Sequence, residues 1–185
     1  DPQPDETDPA EPAEEEPTEP QPEADPEIDT PDESDASYAG SVVVVGDRAM
    51  EIPTRLDDII TSYAAAVGNL AKALGPDVRT ISLVTPNGGE FYSPESLHTG
   101  GHSQKDMIDF CYSRMDSGIV TVDAYAKLRA HTDEYIYFRT DHHWTQLGAY
   151  YAYTAFCEAA GFDARIRPEA LTLEDFAKLQ QALAR

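Results

Sequence analysis

The sequence predicts an α/β fold: three layers, with a mostly parallel sheet flanked by helices, behind a disordered N-terminal tail. Three observations predict it. Short β-branched or apolar runs alternate with segments whose apolar residues fall at helical spacing. Glycines and capping residues stand at the ends of those segments. Charge is segregated: of 185 residues, 35 are acidic and 13 basic, a net −22, yet residues 1–40 hold 16 Asp/Glu, no Lys or Arg, and 9 of the 14 prolines. The remaining 145 residues carry 19 acidic and 13 basic side chains, a net −6.

Residues 1–40 offer only Ile28 and Tyr38 as large apolar side chains. So little burial cannot offset the entropy of ordering, and repelling carboxylates and prolines favour an extended, solvated spacer. The expected division is therefore an acidic Pro/Glu-rich stalk over 1–40 and an α/β domain over 41–185. The first residue is Asp1 rather than Met. A stalk behind a removed leader suits a mature exported protein, so an extracellular or cell-envelope location is expected. A surface of net −22 repels phosphate, which argues against nucleic acid as a partner. No apolar run approaches 18 residues, so no membrane-spanning helix is expected.

Within the domain, Ser41–Val45 (SVVVV), stopped by Gly46, reads as a buried strand. Leu56, Ile59, Ile60, Tyr63, Val67, Leu70 and Leu74 give a helix from about Asp57 to Leu74, closed by Gly75-Pro76. Val78–Val84 alternates as a strand, and Thr85-Pro86-Asn87-Gly88-Gly89 forms a loop. Ser103 caps a helix running through Met115. Ile119–Val122 is a short strand, and Asp123 caps a helix over Ala124–Ala130. Tyr135–Phe138 (YIYF) reads as the next strand. A helix from about Thr145 to Ala160 ends at Gly161, and Thr172 caps a last helix from Leu173 to about Ala184. No internal repeat is evident.

The densest chemistry is Thr140-Asp141-His142-His143-Trp144, between a predicted strand and a predicted helix. In open α/β sheets ligands gather beyond the carboxyl ends of strands. A carboxylate two positions before a histidine, in a loop, can bond one imidazole nitrogen, fix the tautomer and stabilise the imidazolium formed during base catalysis. The plain alternative is an N-capping Asp with two surface or core histidines. Metal binding is a further alternative, because imidazole with carboxylate suits zinc. His98 and His102 form no helical pair, since Gly100 and Gly101 lie between them, and His131 stands apart. Cys111 and Cys157 read as buried free thiols, with a disulfide as the alternative in an exported protein. Tyr150, Tyr151, Tyr153 and Phe156 make the helix after the motif apolar nearly all round, and carbohydrate stacking is a second use for them. Arg139 is placed to pair with Asp47 or an anionic substrate. Gly148 invites close approach of another segment.

The string Tyr137-Phe138-Arg139-Thr140-Asp141-His142-His143-Trp144-Thr145, with the opening Val45-Gly46-Asp47-Arg48-Ala49-Met50-Glu51, resembles the bacterial DHHW protein family. That family is similar in turn to the acetyltransferase-type proteins of alginate modification in the SGNH hydrolase superfamily. The resemblance implies a flavodoxin-like sheet, an exported or envelope location, and a serine-dependent ester hydrolase or O-acyltransferase. Its partners would be a cell-envelope polysaccharide and an acyl donor, with no cofactor or metal. By the Asp-x-His-Trp pattern, Asp141 orients His143, and His143 is the general base. His142 has no assigned role.

Such catalysis needs a nucleophile within reach of the histidine. In the related acetyltransferases the serine follows the motif; here the last serine is Ser117. Ser117 precedes a strand and belongs at the wrong end of the sheet. Ser93, Ser96 and Ser103 lie at the correct end but carry no motif. Arg48 stands where an SGNH enzyme of ordinary order carries its serine. The expectation is an Asp-His acid–base half without its nucleophile half, in a partial domain. The alternative is a non-catalytic envelope or surface protein that binds glycan or a protein partner.

Overall fold

The structure, a computed structural model, describes residues 36–164. Most of the expected stalk and the expected helix from Leu173 lie outside them. The chain opens with an antiparallel meander of β1 (Ser37–Ala39), β2 (Val42–Val45) and β3 (Arg48–Glu51), paired in that order. Two-residue connections, Gly40-Ser41 and Gly46-Asp47, join the strands, and both glycines take positive φ, 66° and 58°. Such turns match the twist of a hairpin. This corrects the reading of Ser41–Val45 as a strand of a parallel sheet. The valine run is half-buried instead: Val43 and Val45 face the core and Val42 and Val44 do not. A glycine-led dipeptide on each side was the signal for hairpins. β1 also lies inside the stretch assigned to the stalk.

Helix α1 (Asp57–Leu74) ends at Gly75, whose φ of 81° stops it as expected. β4 (Ile81–Leu83) and β5 (Val120–Val122) pair in parallel, Ile81 opposite Val120 and Leu83 opposite Val122. Between them run a short α2 (Gly89–Tyr92), two 3₁₀ turns, and α3 (Gln104–Ser113). The Ser103 hydroxyl accepts from the Asp106 N–H, and the Asp106 carboxylate accepts from the Ser103 N–H, a reciprocal cap. Asp123 caps α4 (Ala124–Arg129), and Thr145 caps α5 (Gln146–Ala160), which ends on left-handed Gly161.

Among the described residues the parallel sheet has two strands and the other sheet is antiparallel, so the expected three-layer, mostly parallel sheet is not shown; the architecture is mixed α/β. The predicted strand Tyr135–Phe138 is also corrected. Only Tyr137 forms a bridge, antiparallel to Trp144. The Asp-His-His turn folds the segment back on itself before a strand can extend.

Two apolar clusters hold the parts together. Val43, Val45 and Met50 of the meander pack with Phe91, Tyr92, Leu128, Ile136 and Tyr137. Val122 packs with Ala124, Ala152 and Ala155, bringing α5 against β5. Trp144 lies against both. At the far end of the parallel pair, the Tyr112 hydroxyl accepts from the Val84 N–H at 2.9 Å and donates to the Val122 carbonyl at 3.0 Å. The phenol thus joins the carboxyl ends of the two strands. Cys111 and Cys157 are buried free thiols, as expected.

Candidate functional site

The Asp-His-His segment tips a narrow hairpin. Its arms are joined by Phe138 N–H to the His143 carbonyl (3.2 Å) and Thr145 N–H to the Ile136 carbonyl (2.9 Å). Three anchors fix it. The Tyr137 side chain, 1 % exposed, donates its hydroxyl to the Pro86 carbonyl at 2.7 Å. That ties the hairpin to the loop at the carboxyl end of β4. Burial pushes the Tyr137 phenol well above its ordinary range, so it stays a neutral donor. The meander supplies the second anchor: Ala49 N–H donates to the Arg139 carbonyl at 2.7 Å, and Arg139 Nε meets Asp47 Oδ2 at 2.9 Å. Of the two partners expected for Arg139, the structure gives Asp47. The third is α5, whose Gly148 lies against the Ile136 carbonyl and Trp144 so closely that a Cβ there would collide with backbone. The close approach expected of Gly148 is thus present.

At the tip, Asp141 Oδ1 accepts from the His143 backbone N–H at 2.7 Å and lies 2.5 Å from His143 Nδ1. These bonds hold the Asp141 carboxyl below the ordinary aspartate range, the backbone N–H contributing most. With Nδ1 turned to the carboxylate, Nε2 is left for solvent or substrate, and about 65 % of the His143 side chain is exposed. The His142 ring lies 4.2 Å from that of His143, and its Nδ1 is 3.7 Å from Glu51 Oε2. Asp141, His142 and His143 each bring a ligating atom within 4.8 Å of the others.

The serines go elsewhere. Ser93 donates its hydroxyl to the Gly89 carbonyl and Ser103 caps α3. Ser96 lines a polar cleft with His98 and Arg129, and Ser117 lies beside Lys72 and Arg79 near the amino end of β5. Arg48 lays its guanidinium 3.7 Å from the Tyr92 ring centre. Among the described residues, no serine hydroxyl bonds His143.

Sequence reasoning missed the support behind the tip. Asn87 donates its side-chain amide to the Glu51 carbonyl (3.0 Å) and accepts from Gly89 N–H and Gln104 Nε2 (2.9 and 2.8 Å). Glu90 accepts from the Gln104 N–H at 2.6 Å and the Tyr125 hydroxyl at 3.0 Å. The buried carboxylate and Asn87 thus tie the β4 loop to β3 and α3. Only the position of Asn87 in Pro-Asn-Gly-Gly hinted at this.

The DHHW protein family model matches residues 18–177. The chain belongs to that family. A solved DHHW family protein from Eubacterium siraeum DSM 15702 is 35 % identical, with a TM-score of 0.62 over 69 % of this chain and 42 % of its own. Bacillus cereus PatB1 with a sulfonyl adduct shares the fold at 19 % identity and a TM-score of 0.52, over 65 % of this chain and 43 % of PatB1. The chain thus spans less than half the length of either solved relative. No curated protein matches.

Proposed function

We propose that this DHHW domain carries the acid–base part of a serine-type acyl-transfer site, in an exported protein of the cell envelope related to polysaccharide O-acetyltransferases and esterases. The SGNH branch of the resemblance belongs to this reading. One observation carries it: Asp141 Oδ1 meets both the backbone N–H and the Nδ1 of His143 (2.7 and 2.5 Å). Two bonds to one oxygen set the ring plane and assign the Nδ1 proton to the carboxylate side. Nε2 is then the free base, and the imidazolium formed by accepting a proton is stabilised by the adjacent charge. Substrate would be a polysaccharide hydroxyl and a small acyl ester, meeting at the half-exposed tip.

A second reading has its own support. No described serine bonds His143, which favours a non-catalytic domain that binds glycan or a protein partner at the envelope. One assay separates the two: hydrolysis of a small acetyl ester by this chain and by its His143→Ala variant. The acyl-transfer reading expects His143 to draw a proton from water attacking the ester, a slow rate above background that the substitution removes. Equal background rates for both would leave the binding reading.

A further inference from the structure

We infer that Asp141, His142 and His143 form a binding site for a divalent transition-metal ion of zinc, nickel or copper type, with Glu51 beside His142. His142 has no part in the acid–base reading, yet it is positioned. Its ring lies 4.2 Å from His143's, and Nδ1 is 3.7 Å from Glu51 Oε2. That separation exceeds a hydrogen bond, which runs to about 3.2 Å. It is near the spacing of two ligands on one ion: bonds of about 2.1 Å to nitrogen and to oxygen at a tetrahedral angle place them about 3.4 Å apart. Asp141 Oδ1 and His143 Nδ1, at 2.5 Å, need to open by about 0.9 Å to share an ion in place of a proton.

The donor chemistry selects the ion. Imidazole nitrogens beside carboxylate oxygens suit zinc, nickel and copper, whereas magnesium and calcium favour all-oxygen sets. All four side chains are half-exposed or more, so an ion enters without disturbing the core. The Ala49–Arg139 backbone bond keeps Glu51's strand beside the hairpin. Two of the other histidines, His102 and His131, are less suited. His102 Nδ1 faces the Arg55 guanidinium at 3.5 Å, which repels a cation. His131 shares the Glu134 carboxylate with the Tyr151 hydroxyl.

A consequence for regulation rests on the reading above. An ion seated between Asp141 and His143 removes the carboxylate partner from the base, so the metal switches acyl transfer off.

Trp144, the single tryptophan, adjoins the site and reports on it. The untagged chain is titrated with nickel chloride while tryptophan emission is followed. Saturable quenching with one ion per chain is expected, reversed by zinc and unaffected by magnesium. His142→Ala, at an exposed position and checked for folding by circular dichroism, should weaken binding by about tenfold or more. His131→Ala should leave it unchanged. Non-saturating quenching, or identical curves for wild type and His142→Ala, overturns the site. Ester hydrolysis is scored separately: a saturable metal site with no hydrolysis sinks the acyl-transfer reading alone, and hydrolysis without saturable binding sinks the metal site alone.

Discussion

Among the described residues two carboxylate–imidazole pairs lie within hydrogen-bond distance, and they differ in what surrounds them. His131 Nδ1 meets Glu134 at 2.8 Å, but the same carboxylate oxygen accepts the Tyr151 hydroxyl at 2.7 Å, and the imidazole lies flat on the Tyr151 ring, 3.6 Å between centres. Each group in that set is occupied by another, and together they link the segment after α4 to α5. Asp141 and His143 hold each other within one turn, bonded by backbone as well as side chain, with no bond to the outer ring nitrogen among the described residues. The same pair of groups acts as a weld where a third side chain shares the carboxylate oxygen and stacks on the ring, and stands as an open tip where the loop's own backbone does the positioning.

The sharpest way to break that contrast is at the strut both pairs share. Gly148 lies against the Ile136 carbonyl, and the segment before Ile136 carries Glu134 while the segment after it carries Asp141. Gly148→Ala forces backbone apart and should cost about 2–3 kcal/mol, read as a lower urea midpoint with unchanged slope. A midpoint equal to wild type would show that α5 absorbs the methyl group without strain.

The next effect separates the pairs. Tyr137→Phe removes only the hairpin's bond to Pro86 and should cost about 1–2 kcal/mol, because a buried carbonyl loses its donor. The same phenol sets an alkaline limit. Burial raises the Tyr92, Tyr112 and Tyr137 phenols, so in the folded state they stay protonated while the unfolded chain ionises at about pH 10. Stability is full below that pH and falls as pH rises above it. Tyr137→Phe should flatten the fall; an unaltered alkaline slope would assign it to other groups.

Tyr151→Phe tests the weld alone. It should cost about 1 kcal/mol and leave nickel quenching of Trp144 as in wild type. A change in quenching would mean that the two pairs communicate. The smallest effect falls on Asp141, too exposed to matter to the fold. Its carboxyl should titrate below the usual aspartate midpoint by carbon-13 NMR, because the charged form accepts two bonds from His143. The stability it adds is present above that ordinary midpoint and is lost as pH falls through the lowered one. An ordinary midpoint would mean that the bonds do not persist in solution.

Local chemistry was readable in advance where it rests on one stretch of chain. Ser103 and Asp123 cap the helices they were expected to cap, α1 keeps its bounds, and the Asp141–His143 spacing brings those groups together. Pairing partners were not readable, because a valine run is equally suited to a parallel sheet or a hairpin until its neighbours are known. Val42–Val45 went to the meander on the strength of two glycine turns, and Tyr135–Phe138 was drawn back by the motif that follows it. Glu51, Asn87, Glu90 and Gln104 gave no pattern, since the bonds joining them cross 14 to 36 positions.

The Tyr112 hydroxyl, which both receives and gives a bond between the ends of β4 and β5, makes that ring a sentinel for chemical labelling. Nitration or iodination beside the phenol acidifies it and demands room, and both work against the neutral, doubly bonded hydroxyl that the joined strands hold. Tyr38 and Tyr135, on the outside, should take up reagent first. Modification of Tyr112 would then time the moment at which the parallel pair comes apart.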